Sequence, residues 1–188
     1  MDPEEPSLEQ VLTGIDHARS GVAMQVIEPL YAMSLRALPG AGAPWTQALC
    51  ECGVARLPAP GHLEGESMLV MWISPTEHLI VTQHPTLLAP LQRALQPGSV
   101  ALACAVDRSA GVVGIELTGP ALDPLLARLV DSSAVAASAG RATRARCIDL
   151  AVVLMRLSAG RAWMLVDRPV AGTLAQWLRY AACALAAR

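Results

Sequence analysis

Pairs of strand-length apolar runs, each joined by a short turn and each flanked by single helices, occur in both halves of this chain, and that order limits the folds open to it. Residues 68–73 and 78–82 are one such pair, with Ser74-Pro75-Thr76-Glu77 between them; residues 151–157 and 161–166 are the other, across Ser158-Ala159-Gly160. Apolar, β-branched runs bounded by Gly, Pro and Ser read as hairpins. The helices show the other period. Leu87, Leu88, Leu91 and Leu95 share one face of a helix over 86–95, with Pro85 ahead of it and Pro97-Gly98 behind. Leu122, Leu125, Leu126, Leu129 and Val130 recur at helical spacing after Gly119-Pro120, with Asp123 as N-cap before Pro124. Val170, Leu174, Trp177, Leu178, Ala181 and Leu185 mark the apolar face of a terminal helix that Pro169 starts.

A strand over 31–35, the 39–44 turn and a helix over 45–52 precede the first pair. Strands over 100–106, 112–117 and near 144–148, with a small-residue loop at 134–140, complete the order. Each half reads strand, helix, two strands, helix. This predicts an α+β fold of two pseudo-repeated β-α-β-β-α halves, with mixed or antiparallel sheets and helices on one face. A doubly wound parallel sheet would need a helix after every strand, and the G-x-G-x-x-G and P-loop patterns of nucleotide sites are absent. Residues 1–28 read as a loose N-terminal arm with a short helix over 8–19, and 29–188 as a single domain with halves of about 29–107 and 108–188.

Composition narrows function. Of 188 residues, 53% are hydrophobic and 16% charged, against roughly 25% charged in ordinary domains. Disorder is excluded; the apolar surplus reads equally as a partner surface or as a GC-rich coding bias toward Ala, in keeping with the absence of Lys, Asn and Phe. The net charge is −2 and all 14 basic residues are Arg, scattered singly, so there is no basic stripe for a nucleic acid. Arg141, Arg144 and Arg146 are the densest group and read as a solvated loop before a strand. No apolar run approaches the roughly 18 residues of a membrane span. The acidic start, Met1-Asp2-Pro3-Glu4-Glu5-Pro6, is unlike a signal or transit peptide. Five cysteines without framework spacing indicate reduced thiols and a cytoplasmic protein. Cys50-x-Cys52 lacks the second half of a metal site, since Cys104, Cys147 and Cys183 stand alone.

Chemistry-bearing patterns are few. There is no Gly-x-Ser-x-Gly elbow, and His17, His62, His78 and His84 have no partner that sequence can assign. Asp107 reads as a turn former, and Glu77 and Asp149 sit in or beside turns without forming an acid/base pair. No catalytic, cofactor-binding or metal-binding residue is expected in this chain. The remaining candidates are for a partner interface: Trp45, after a Pro/Gly loop; Tyr180, near the edge of the terminal helix; and the residue 1–28 arm. Trp177 is expected to face inward with Leu174 and Leu178.

Two segments carry a resemblance. Met71-Trp72-Ile73-Ser74-Pro75-Thr76-Glu77-His78-Leu79-Ile80-Val81 is one; Val106-Asp107-Arg108-Ser109 followed by Ile115-Glu116-Leu117-Thr118-Gly119-Pro120 and Leu125-Leu126 is the other. With Met155-Arg156-Leu157, the 163–166 strand and Trp177-Leu178, their order resembles the gamma subunit of heterotetrameric sarcosine oxidase, from about Val26 to Ala182. That family is itself similar to the folate-binding domain of glycine-cleavage T-protein. The resemblance implies a non-catalytic subunit, acting in assembly, of a complex that oxidatively demethylates sarcosine or a related N-methyl amine. It implies alpha, beta and delta partner subunits, with FAD, FMN, NAD and tetrahydrofolate bound on those partners. Two departures are visible: Ala121-Leu122 replaces the family's Asp-Ala after Gly-Pro, and Leu150 and Ala151 stand where T-protein has its Asp-Asp. Asp149 is one residue out of register, so on a strand it would point to the opposite face. The alternative is a stand-alone tetrahydrofolate-binding protein of the T-protein or YgfZ kind, though a chain without Lys cannot hold the Lys-Gly-Cys-Tyr motif of the latter.

Overall fold

The structure is a computed structural model that describes residues 7–13, 15, 17–54, 56–96, 98–135 and 138–187. The acidic start, Pro97 and two residues of the 134–140 loop lie outside them. Ten strands run in the order β1 Ala23–Val26, β2 Tyr31–Ala37, β3 Leu63–Glu64, β4 Met68–Ser74, β5 Glu77–Thr82, β6 Ala103–Asp107, β7 Val112–Thr118, β8 Arg141–Cys147, β9 Leu150–Ser158 and β10 Arg161–Asp167. The helices are α1 Leu8–Thr13, α2 His17–Ser20, α3 Gly42–Glu51, α4 Ala89–Ala94, α5 Leu122–Leu126, α6 Ser132–Val135 and α7 Ala171–Ala186.

Two units result, one of residues 1–27 with 113–188 and one of residues 28–112. The first holds the sheet β1-β7-β10-β9-β8, the second the sheet β3-β4-β5-β2-β6. The pairs β1·β7, β8·β9 and β9·β10 are antiparallel in the first sheet, and β2·β5, β2·β6, β3·β4 and β4·β5 in the second. The α+β class with antiparallel sheets and helices packed on them is therefore the one expected.

In the first unit, Ile115 and Leu117 of β7, Leu154 of β9 and Met164 of β10 pack with Leu125 and Leu126 of α5 and Leu174 and Leu178 of α7. All are fully buried, each worth about 1.5–3 kcal/mol relative to exposure. In the second unit, Met33, Leu35 and Ile80 pack with Trp45 and Leu49 of α3 and Leu91 of α4. Period two on the strands and near four on the helices supply these faces.

Several expectations are corrected. The segment read as a loose arm is built into the first unit: Val11, Leu12 and Ile15 are core residues, and β1 pairs with β7 from Ala23↔Thr118 to Val26↔Ile115. Leu8, Val11, Leu12 and Ile15 recur at helical spacing, which gives the segment an apolar face despite its polar composition. Its helix over 8–19 is two short helices, α1 and α2. The strand over 100–106 begins only at Ala103, because Leu102 adopts φ 61° in a turn. The helix from Leu122 stops at Leu126 and is capped by Ala121 rather than Asp123, with Leu129 and Val130 buried beyond its end. Arg141, Arg144 and Arg146 lie on β8, at one edge of the first sheet, and not in a loop. Charged side chains on an edge strand discourage pairing with other chains.

The Leu-Thr-Gly-Pro segment has a packing reason. Gly119 has φ 140°, its amide donates to the Gly160 carbonyl at 2.9 Å, and a Cβ there would collide with the Gly21 carbonyl oxygen. Only glycine fits that crossing.

Candidate functional site

Polar chemistry in the first unit gathers around Glu116, the one charged residue in the apolar run of β7. Gln25 of β1 donates to its Oε2 at 2.6 Å, while Arg161 Nε at 2.6 Å and Trp163 Nε1 at 2.9 Å, both from β10, donate to its Oε1. The sheet order sets Gln25 on one side of Glu116 and β10 on the other. Burial pushes the carboxyl up, but the hydrogen bonds from Trp163, Arg161 and Gln25 and the Arg161 charge outweigh it, so the group titrates below its usual range. A saturated, ionised carboxylate is a poor proton acceptor, and this cluster is suited to locking three strands rather than to acid/base work.

A second buried charge faces α5. Arg156 is 4% exposed; its Nη1 lies 2.8 Å from Asp123 Oδ1, off the hydrogen-bonding direction, its Nη2 donates to the Ala159 carbonyl at 3.0 Å, and its Nε has no acceptor among the described residues. Sequence reasoning assigned neither cluster. The signal available for both was a lone charge within an apolar strand run.

In the second unit, Glu77 accepts from the Ser34 hydroxyl at 2.5 Å and lies 3.5 Å from Arg36. Asp107 takes the turn role expected of it, accepting from the Ser109 amide at 2.8 Å. Ser109 in turn bridges to Ala32 through its hydroxyl. His17 and His78 are held by backbone carbonyls, of Val22 at 2.9 Å and Pro58 at 3.3 Å. Burial lowers the His78 value more than the Pro58 carbonyl raises it. All five cysteines are free thiols. Among the described residues no group of three or more His, Cys, Asp or Glu could hold a metal ion, and no helix is long and apolar enough to cross a membrane.

The surface candidates separate. Trp45, expected at an interface, is 7% exposed and packs in the second unit's core, so its ring belongs to that core. The reason is its place on α3, four residues before the buried Leu49. Tyr180 is 71% exposed. Trp177, expected inward, is 36% exposed and meets Tyr180 edge to face, with ring centroids 6.3 Å apart. The buried stripe of α7 runs through Leu174, Ala175, Leu178, Ala181 and Ala182; Trp177 lies on its flank, about 100° from Leu178 around the helix. Trp177, Tyr180, Ala184 and Ala181 form one wall of a shallow groove of about 160 Å³, and Arg128, Leu129 and Ile148 form the other.

No family profile and no curated protein sequence matches the chain. Its structure is similar to a chain of the heterotetrameric sarcosine oxidase from Corynebacterium sp. U-96, solved in complex with pyrrole 2-carboxylate, with a TM-score of 0.82 and 23% identity over 99% of this chain and 98% of that one. It is also similar to the glycine cleavage system aminomethyltransferase T from Bartonella henselae, with a TM-score of 0.58 and 13% identity over 90% of this chain but 48% of that one. These likenesses establish the fold, and it is the fold that the motif resemblance implied.

Proposed function

We propose that this chain is the non-catalytic gamma subunit of a heterotetrameric, sarcosine-oxidase-like complex that oxidatively demethylates sarcosine or a related N-methyl amine. It acts there in assembly and stabilisation. The observation that carries this reading is the end-to-end match to a chain of the Corynebacterium oxidase, where 99% of one aligns with 98% of the other. The aminomethyltransferase shares the fold over only 48% of its own length, so the likeness reaches about half of that enzyme. The polar clusters support the same reading, because the Glu116 carboxylate is committed to three internal donors. Asp149 lies exposed in the two-residue connection between Cys147 and Leu150, away from any strand face. The partners are alpha, beta and delta subunits, and FAD, FMN, NAD and tetrahydrofolate belong on them.

Co-expression with those three subunits tests the proposal. The chain is expected to co-purify as a stoichiometric member of a yellow complex, while the chain alone is colourless after desalting. Omitting it should lower the yield of assembled complex but leave flavin reduction by sarcosine unchanged in what does assemble. A monodisperse chain that ignores the three subunits overturns the reading, and tetrahydrofolate binding by that isolated chain would establish the stand-alone alternative.

A further inference from the structure

The groove beside α7 has features that the packing of its own unit does not account for. Tyr180, Trp177 and Ile148 are all large apolar residues left in solvent, at 71%, 36% and 43% exposure, and they converge on one groove. Contiguous exposed apolar surface on a folded chain marks an interaction site more often than isolated exposed residues do. The aromatic pair is fixed edge to face, so little side-chain freedom is left to lose on binding.

Ile148 adds an independent observation. It has φ 59°, a left-handed conformation that suits Gly or Asn and strains a β-branched residue. Its amide donates to the Leu129 carbonyl at 2.9 Å, which pins the turn, and hence the side chain, at the rim of the groove. Glycine would make the same turn without strain, and the exposed Ile side chain adds little to the core. Backbone strain of this kind is tolerated where the residue serves a site.

The groove also defines its occupant. At about 160 Å³ it is below the roughly 300–1,000 Å³ of sites that enclose a cofactor or small ligand, and it has room for a side chain. Arg128 lines it, and its guanidinium has no ion-pair or hydrogen-bond partner among the described residues. Aromatic anchors beside an available Arg are the composition of a protein interface centre.

We infer that this groove seats a partner subunit of the proposed complex, which inserts one apolar side chain between Trp177, Tyr180 and Ile148 and sets a neighbouring carboxylate against Arg128. The inference rests on the subunit reading and deepens it by naming the docking surface. The test is co-expression of the full chain with tagged alpha, beta and delta subunits, using wild type, Ile148→Gly, Arg128→Glu and the double variant Trp177→Ala/Tyr180→Ala. Each variant chain is also purified alone and unfolded in urea. Ile148→Gly is the decisive variant: relieving the strain should leave the urea midpoint of the isolated chain at or above wild type, while recovery in the complex falls. The double variant should lower recovery about ten-fold or more, the scale of hot-spot residues, and Arg128→Glu should lower it with a normal urea midpoint. Wild-type recovery by all three variants would overturn the docking surface and leave the subunit reading standing. Failure of the wild-type chain to co-purify would overturn both. Self-association of the isolated chain that these variants abolish, with normal recovery in the complex, would assign the groove to a second copy and overturn the inference.

Discussion

Removing the Glu116 carboxylate separates hydrogen bonding from packing at the centre of the first sheet. Glu116→Ala strips the acceptor from three donors, but they do not suffer equally. Gln25 is exposed and the Arg161 side chain is half exposed, so both recover water and cost less than about 1 kcal/mol each. The indole N–H of Trp163 is buried and is left unsatisfied, at about 1–3 kcal/mol. With a lost methylene at roughly 0.8 kcal/mol, the expected loss is about 2–6 kcal/mol, a large part of a typical 5–15 kcal/mol total. Glu116→Leu restores the volume but not the acceptor, and should remain destabilised by about 1–5 kcal/mol. Glu116→Gln keeps an acceptor for Trp163, and the exposed Gln25 amide can turn to suit it, so its cost should be smallest. Urea titration followed by far-UV circular dichroism gives these differences directly. The pH dependence supplies a second check. Because the folded carboxyl titrates below its ordinary value of 4.5, its stabilisation is fully present above that value and is lost as pH falls through the folded one. The gap between wild type and Glu116→Gln should therefore shrink on acidification below pH 4.5. Wild-type stability in Glu116→Leu, or a gap indifferent to acid, would refute this account of the cluster.

Two further outcomes follow from other buried groups. Asp123→Ala leaves the guanidinium of Arg156 buried without its counter-ion, and urea unfolding should show a loss of about 2–3 kcal/mol, below the 3–5 of a fully buried pair because Asp123 is 58% exposed; Arg156→Met, which removes the buried charge itself, should be nearly neutral. Cys147 is fully buried, and burial, with a smaller contribution from Asp149, pushes its thiol up to about 11; iodoacetamide at pH 8 followed by peptide mass mapping should therefore label the exposed Cys50 and Cys183 in the native chain, and Cys147 only after unfolding.

The 68–82 hairpin was legible because its evidence is local: two apolar runs and a Ser-Pro-Thr-Glu turn fix the strands, and β4 and β5 pair across it. The pairing of β1 with β7 was not. Residues 23–26 have a strand pattern only four residues long, and their partners lie about ninety positions away. Trp177 falls within the apolar face that helical spacing marks, but at its edge: the buried stripe runs through Leu174, Ala175, Leu178, Ala181 and Ala182, and spacing alone does not say how wide that stripe is. Glu116 and Arg156 show the converse. Each is a single charge inside an apolar strand run, and because charges are rarely buried unless paired, its presence there is itself the sign of a partner elsewhere in the chain. The groove beside α7 is only half legible in sequence, since Tyr180 stands near the edge of the terminal helix but the wall formed by Arg128, Leu129 and Ile148 comes from a different part of the chain.

The pairing of β1 with β7 joins two strands that are synthesised far apart in time. A ribosome delivers β1 first, then the whole of residues 28–112, and only afterwards the strand that β1 needs. The second unit is contiguous in sequence, whereas the first waits with one edge strand and with α1, whose Val11 and Leu12 belong to its core. At about 5–20 residues per second, β1 waits on the order of 5–20 s from its own emergence to that of β7, and its core partners in α7 come later still. During that interval Val11, Leu12 and Ile15 have no core to enter, so an apolar face that the finished fold buries stays open to other chains until β7 and α7 have been made.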